Sequence, residues 1–411
     1  MSTTITLVVV VAFSFVIGEF IQRLATRRGL LLSGAEYLIV GVLVGPLVSG
    51  IVSTDSLVVI EPAMWLLIGL VGFTKGLRLR HAVSDGGVTY LIAATLLSLV
   101  SMAVIGAAGF GLLQWLEPET ALLDMILPVV VFGTAGSVVS SRFVNLAAER
   151  FRARGPLTRF LSTSADWGNT LAVLVAGGVM DWQRSKSPIE VLEVSLPGEL
   201  WAVASLLIGV FAGVLFWLFH RDKDDDERTF LATVGVVIFA SGIASAVGCS
   251  PLLVGLLAGV TVSIMSRQAD DLSDKLSTLQ RPSGIVLMIF AGTLWVLPTM
   301  VGWAGVLTYL LTRTLVLWVV PRLVVRPLLG SVAAGWLGAG MRGQGVVPVA
   351  LVLSLILVHE EHAQVMSVVL VCVFVLEFGA GAALRRLLGD AGELGVVQEP
   401  ASPATRSGGA A

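Results

Sequence analysis

The sequence predicts an all-α membrane protein with about 13 transmembrane helices. Its 411 residues are 56% hydrophobic and only 13% charged, with a mean hydropathy of +0.92, whereas a soluble domain carries about 25% charged residues. Apolar runs near the bilayer-spanning length of about 20 residues recur along the chain. They lie near 4–22, 33–52, 57–76, 87–115, 121–141, 157–180, 197–219, 229–247, 250–266, 283–301, 303–321, 329–357 and 363–384.

The distribution of lysine and arginine predicts the orientation of these helices. If the N-terminus lies outside, the loops that face the cytoplasm hold nearly all of these residues, for example Lys75, Arg78 and Arg80. The loops on the other side hold only Arg184 and Lys186. The positive-inside rule therefore predicts a multi-pass protein of the cell membrane with an outer N-terminus and a cytoplasmic C-terminus.

Several classes of function are disfavoured by what the sequence contains. A net charge of −2 gives no basic surface for nucleic acid. Cys249 and Cys372 lie in or beside apolar runs and are interpreted as small core residues. The "HEEH" stretch (359–362) lacks the i, i+4 histidine pair of a helical zinc motif. With no visible nucleophile–base set or phosphate loop, we expect neither an enzyme nor a cofactor, and no metal beyond a transported monovalent cation.

Two similar segments indicate an internal repeat. "YLIVGVLVG" (37–45) and "PLLVGLLAG" (251–259) agree at five positions. The two predicted helices are seven segments apart and so cross the membrane in opposite directions. This is the arrangement of an inverted-repeat transporter. The repeats are predicted over about 33–180 and 250–386, each with five helices.

The predicted domain organisation follows from these repeats. Residues 1–388 form one transmembrane domain. The remainder, 389–411, turns to Gly, Pro, Ser and Ala and is predicted to be a disordered tail.

Equivalent positions of the two repeats carry glycine-interrupted segments, "FGTAGSVVSS" (132–141) and "GWLGAGMRGQGVVP" (335–348). Glycine weakens a helix interior and can leave carbonyls free. Paired broken helices of this kind mark the midplane site of a transporter. We therefore expect the helices to unwind near Gly133–Gly136 and Gly340–Gly345 and to cross. The alternative is close helix packing through small residues.

Asp166 lies deep inside an apolar run, about 10 Å from Arg159 along a helix. Ser164 and Asn169 place further oxygen and amide groups beside it. Burial away from water favours the protonated carboxyl, so that one site can hold either a proton or a small cation. Intramembrane acids usually mark ion or proton pathways. The alternative is a structural partner for an arginine.

Other polar groups also fall within apolar runs. Glu377 is the matching acid in the second repeat, and Arg313 is interpreted as a counter-charge for Asp166 or Glu377. A structural pair and direct ion binding remain equally open for Arg313. Arg342 is expected to satisfy carbonyls of the second broken helix.

Six segments in order resemble the sodium/hydrogen exchanger superfamily, in particular its monovalent cation:proton antiporter-2 branch. The segments are "GAEYLIVGVLVGP", "LLIGLVGFTKGLRLR", "VVVFGTAGSVVSSRFVNLAAE", "SADWGNTLAVLVAG", "SPLLVGLLAGVTVS" and "GAGMRGQGVVPVALVL". The resemblance implies a sodium/proton antiporter-like fold, exchange of Na+ or K+ for H+ and alternating access in a homodimer. It puts Asp166 at the ion-binding aspartate, with Thr134 and Ser137 as ligands.

The sequence departs from the family pattern at three places. Ala165 stands where an Asn, Asp or Gln often precedes the aspartate, which points to one-for-one, electroneutral exchange. The first broken segment is reduced to "GTAG", and Gln344 replaces a glutamate. These departures leave open a non-transporting subunit or sensor of the same fold. A third hypothesis is symport of an organic anion held by Arg313 or Arg342.

Overall fold

The predicted all-helical architecture is confirmed by the computed structural model, which describes residues 34–52, 54–183, 197–220, 226–266, 269–330 and 337–395. Within these ranges the α-helices are α1 (Glu36–Val44), α2 (Thr54–Leu77), α3 (Leu79–Leu116), α4 (Leu122–Ser137), α5 (Ser141–Arg150), α6 (Pro156–Gln183), α7 (Gly198–His220), α8 (Asp226–Val247), α9 (Pro251–Met265), α10 (Ala269–Thr293), α11 (Met300–Val320), α12 (Arg326–Leu329), α13 (Val346–Val358), α14 (Ala363–Glu377) and α15 (Ala380–Asp390). A π-turn (Pro321–Val325) and two 3-10 turns (Leu337–Met341 and Glu360–His362) join some of them.

Six helical stretches in the described ranges are long and apolar enough to cross a membrane, so the chain is a multi-pass membrane protein. They are Val59–Ser84, Gly87–Leu116, Leu122–Arg150, Gly198–Leu218, Phe230–Val247 and Met300–Leu329. The apolar helices α9 and α13 are shorter. The first predicted span, 4–22, lies outside the described residues.

The last span was predicted as a single helix over 363–384, but the structure divides it into α14 and α15. It bends by 49° between α14 and α15. The bend falls at Gly379, whose φ of 77° is a left-handed conformation that glycine adopts without steric cost. After α15 the chain continues in ordered turns to residue 395, and Glu393 packs against the start of α6. Residues 396–411, the rest of the predicted tail, lie outside the described ranges.

The two segments that carry the repeated motif make equivalent contacts. Gly41 of α1 lies against the backbone of α10, where a Cβ would meet Ile289 O and the Cα of Gly292. Gly255 of α9 lies in the same way against Gly69 of α2. The first helix of each repeat thus crosses the second helix of the other, and the motif glycines permit the close approach.

We group most of the helices into two packing units around two hydrophobic clusters, and α2, α9 and α10 contribute side chains to both clusters. The smaller cluster draws on α2 and α7–α10, which we call the scaffold. The larger cluster centres on α3–α6, α11 and α13–α15, which we call the bundle, and also includes side chains of α1. Both cysteines are free and buried, as expected of core residues.

The α2–α9 contact should be sensitive to any added side chain. A Cβ on Gly72 would meet the carbonyl oxygen of Leu252 and lie 2.8 Å from Leu256 N. We expect Gly72→Val to destabilise the protein by about 1–3 kcal/mol, the usual cost of overpacking. The measurement is the thermal unfolding temperature in detergent. Gly242→Val is the matched control, since nothing lies within 4 Å of that position. Equal losses in both variants would contradict the contact.

Candidate functional site

The candidate site is built around α6, the helix that carries Asp166. Asp166 follows Pro156, the first residue of α6, by about 15 Å along the helix axis, and it is 9% exposed. A carboxylate buried to this degree is costly unless a positive group or several donors compensate it. The groups that surround Asp166 therefore decide its charge state.

Lys75 of α2 is the partner of Asp166. Its Nζ lies 3.3 Å from Oδ1 of Asp166 and donates a hydrogen bond to Ser141 Oγ at 2.5 Å. The lysine is 8% exposed, so its assignment to a cytoplasmic loop was wrong. Because Lys75 stands at the edge of an apolar run, local sequence cannot distinguish it from an interfacial residue.

The two broken helices cross beside this ion pair. The first break separates α4 from α5 at 138–140, and the second separates the turn Leu337–Met341 from α13. Ser140 N donates to Gly343 O at 2.8 Å, which joins the two breaks directly. Asn169 of α6 donates from Nδ2 to Val139 O at 3.0 Å. The predicted crossing of paired broken helices is therefore confirmed.

The first break lies a few residues later than the glycines suggested. Gly133 and Gly136 both remain within α4. A Cβ on Gly133 would lie 2.6 Å from Met102 O, and one on Gly136 would lie 2.6 Å from Ile105 Cγ2. These glycines let α4 pack closely against α3, which was the alternative interpretation. The extended residue is Val138, with ψ of 138°.

Arg313 of α11 satisfies carbonyls at both breaks. Its guanidinium donates to Gly136 O, to Val138 O at 2.9 Å and to Met341 O at 3.1 Å, and the residue is 1% exposed. These oxygens belong to the ends of two helical segments, where the helix dipole is negative. Arg313 was expected to be the counter-charge of Asp166 or Glu377, and for Asp166 that expectation was wrong, because Lys75 is its partner. Arg313 also performs the role expected of Arg342.

Gln344 ties the same region together as a neutral donor. Its Nε2 donates to Ala135 O at 2.8 Å and to the hydroxyl of Tyr309 at 2.7 Å. Tyr309 in turn packs edge-on against Phe132, with ring centroids 5.0 Å apart. A glutamate at this position would offer no amide hydrogen to the carbonyl. The departure at Gln344 therefore fits a structural role in holding the crossing.

The remaining predicted site residues are placed as follows. Thr134 Oγ1 donates to Val130 O at 2.7 Å, and Ser137 Oγ donates to Thr134 O at 2.8 Å. Both hydroxyls thus bond within their own helix. Ser164 and Asn169 are buried on α6. Glu377 is the buried last residue of α14.

Two cavities reach the ion pair, one at Asp166 and the other at Lys75. The larger, of about 340 Å³, extends to Asp166 and is lined by His81, Arg154, Thr158 and Arg159 among others. The smaller, of about 50 Å³, has a polar lining that includes Lys75, Ser140, Ser141, Asn169 and Gln344. Its size is sufficient for a few water molecules at most. Asp166 is therefore accessible to small ions and protons from the end of α6 that lies beside Arg154 and Arg159.

Solved structures share this arrangement of helices. The structure of the sodium proton antiporter MjNhaP1 from Methanocaldococcus jannaschii at pH 8 matches with a TM-score of 0.64 at 13% identity, covering 94% of this chain and 100% of that chain. The chain has the fold of a sodium/proton antiporter. A structure of the same antiporter from an electron-microscopy map gives a TM-score of 0.57 at 16% identity, covering 92% and 97%. No family model and no curated protein matches the sequence.

Arg313 should be essential for the stability of the antiporter fold in this chain. In Arg313→Lys the charge remains but the planar fork of donors is lost, so buried carbonyls lose their partners. We expect each such carbonyl to cost about 1–3 kcal/mol, measured as a lower thermal unfolding temperature in detergent. Arg386→Lys is the matched control, because Arg386 is exposed and surface changes are usually within about 0.5 kcal/mol. Equal stability of the two variants would overturn this role.

Proposed function

We propose that the protein is a transporter, rather than an enzyme, that exchanges a monovalent cation, Na+ or K+, for protons at Asp166. The observation that carries this proposal is the Asp166–Lys75 pair beside two crossed broken helices. A buried carboxylate at such a crossing is the site type expected of an inverted-repeat ion transporter. The antiporter fold supports the same conclusion.

The position of the Lys75 ammonium is itself a position for a cation. Nζ is held by a carboxylate oxygen of Asp166 and the hydroxyl of Ser141, and both are oxygen ligands that hard cations prefer. Asn169 Oδ1, buried nearby on α6, accepts no hydrogen bond from the residues that the structure describes. We infer that the cation replaces the ammonium beside Asp166, with Ser141 and Asn169 as further ligands.

Proton coupling follows from competition for one carboxyl group. Asp166 can bind a proton or a cation, and the site carries the same net charge in either case. Ala165 adds no second acid next to it. The exchange is therefore one-for-one and electroneutral in our proposal. Lys75 stabilises Asp166 when neither ligand is bound, because a buried carboxylate without a partner is strongly unfavourable.

In our proposal of alternating access, the bundle carries the ion site and the scaffold stays in place. Asp166 and Ser141 belong to the bundle, whereas Lys75 belongs to the scaffold. A movement of the bundle along the scaffold would carry Asp166, together with the bundle residues that line its cavity, away from Lys75. We propose this movement as the step that exposes the site to the other side of the membrane.

The role of Asp166 is tested by Asp166→Asn, which keeps the side-chain shape and removes the titratable charge. We expect cation-induced proton movement in proteoliposomes to vanish while the protein still inserts and remains folded. In the unmutated protein, the apparent affinity for the cation should fall as the pH falls, because protonation and cation binding exclude each other. Each monovalent cation is added in turn to a fixed pH gradient.

Glu377→Gln is the matched control, since it neutralises the corresponding acid of the second repeat. Exchange that survives Asp166→Asn and is lost in Glu377→Gln would transfer the role to Glu377. An unmutated protein that exchanges none of the monovalent cations would favour the non-transporting sensor or subunit. Uptake of an organic anion without cation-induced proton release would favour symport.

The competition by Lys75 is tested by Lys75→Met, which keeps the length of the side chain without its ammonium. Removing the competitor should lower the KM for the cation, by about tenfold if the ammonium costs the cation about 1.4 kcal/mol. Lys75→Arg is the control that retains a positive charge and should keep the KM high. A KM in Lys75→Met that equals or exceeds the unmutated value would contradict competition.

A further inference from the structure

A second buried acid, Asp181, lies on the same helix as Asp166. It is 15 residues further along α6, a distance of about 22 Å along the axis, and it is 0% exposed. The two residues differ by about 60° around a helix with 3.6 residues per turn. Asp181 therefore lies at the opposite end of α6 on a similar face, which also meets the scaffold.

The contact of Asp181 is with the first turn of α9. Its Oδ1 accepts a hydrogen bond from Ser250 N at 2.8 Å. Ser250 is the N-cap of α9 and is followed by Pro251 at the first helical position. The N-terminus of a helix is its positive end, so a carboxylate is well placed there. Asp181 thus meets a partial positive charge of the scaffold, as Asp166 meets Lys75.

Ser354 of α13 holds the same scaffold residue from a second direction. The hydroxyls of Ser250 and Ser354 lie 2.9 Å apart, and both serines are buried. Ser250 is therefore bonded by two elements of the bundle, α6 and α13. We call Asp181, Ser250 and Ser354 the Ser250 latch.

The surroundings of the latch are closely packed. A Cβ on Gly177 of α6 would lie 2.7 Å from Leu253 Cβ of α9. Nε2 of His359 lies 3.0 Å from Met180 O, a contact that joins the end of α13 to α6. The cavity that reaches Asp166 opens at the other end of α6 instead. In this conformation the bundle and the scaffold are in close contact at the latch.

We propose that the Ser250 latch closes the path to Asp166 from this end and must open in each exchange cycle, with Asp181 as its positioning residue. The proposal rests on the exchange function inferred above. A latch made of polar groups suits repeated opening, because water can replace hydrogen bonds at small net cost. Apolar packing alone would expose hydrophobic surface each time it opened.

The partners of Ser250 distinguish a latch from an ordinary helix cap. Ser250 already caps its own helix by accepting from Leu253 N at 3.4 Å. Asp181 and Ser354 are separated from it by 69 and 104 residues along the chain and belong to the other packing unit. Their bonds therefore join two units and add to a cap that α9 already has.

A disulfide across the latch tests whether it opens. Ser250→Cys and Ser354→Cys are combined in a Cys249→Ala, Cys372→Ala background, and the short separation of the two hydroxyls suits a disulfide. Oxidation should stop cation:proton exchange in proteoliposomes, and a reductant should restore it. Cross-linked protein that continues to exchange would overturn the latch.

The control places an equivalent disulfide inside the bundle. A Cβ on Gly305 of α11 would lie 3.4 Å from Val368 Cγ2 of α14, and neither residue lines the cavities at Asp166 and Lys75, so Gly305→Cys with Val368→Cys should cross-link without stopping exchange. Loss of exchange in this pair as well would show that oxidation inhibits for another reason, and the latch would lose its support. Absence of exchange in the reduced cysteine-free background would instead count against the proposed function.

A second measurement tests whether the latch opens and does not depend on a transport assay. Ser354→Cys in the same background gives a protein with one thiol, and in detergent the rate at which that thiol reacts with a charged maleimide reports opening. Asp181→Asn should raise that rate about twofold to fivefold, the factor for losing one charge at a helix end. Asp124→Asn, which changes an exposed acid, should leave it unchanged. An unchanged rate in Asp181→Asn would overturn the role of Asp181.

Discussion

The need to satisfy backbone groups inside a membrane is the constraint on which this structure depends. Two helices are interrupted where they cross, and lipid offers no water to bond the freed carbonyls. Arg313 supplies donors to both breaks at once, and Gln344, which lies in the second break, donates to Ala135 O beside the first. Because these side chains hold the crossing together, the irregular backbone of the two breaks has a fixed conformation beside Asp166.

The charge of Asp166 is balanced across the boundary between the bundle and the scaffold. Had its partner been Arg313, as the sequence suggested, the pair would have lain within the bundle and moved as one body. Lys75 instead belongs to α2, so any movement of the bundle along the scaffold has to break the pair. The same geometry makes an ammonium the resident occupant of the position that a transported cation would take. Charge balance and movement are therefore coupled through one contact.

The bonds that α6 makes to the scaffold through its two buried acids lie about 22 Å apart along the helix, one within its first half and the other near its last turn. Asp166 meets an ammonium and Asp181 meets the start of a helix, and both contacts are polar. Within the scaffold and towards α1, the glycines of α1, α2, α9 and α10 allow close backbone contact in a pattern that repeats with the motif. The scaffold thus makes polar contacts with α6 at two levels, and the inverted repeat explains why α1 pairs with α10 as α9 pairs with α2.

The sequence by itself determined the features that depend on neighbouring residues. Apolar runs of spanning length, the motif shared by 37–45 and 251–259, two glycine-interrupted segments and Asp166 within an apolar run were sufficient to predict the fold and its candidate site. Only the tertiary structure decided which groups meet. The partners of Asp166 and Arg313 lie 91 and 175 residues away along the chain, and no local pattern encodes such pairings. The first break likewise lies at 138–140 and not at Gly133–Gly136, because α3 packs against these glycines and they remain helical.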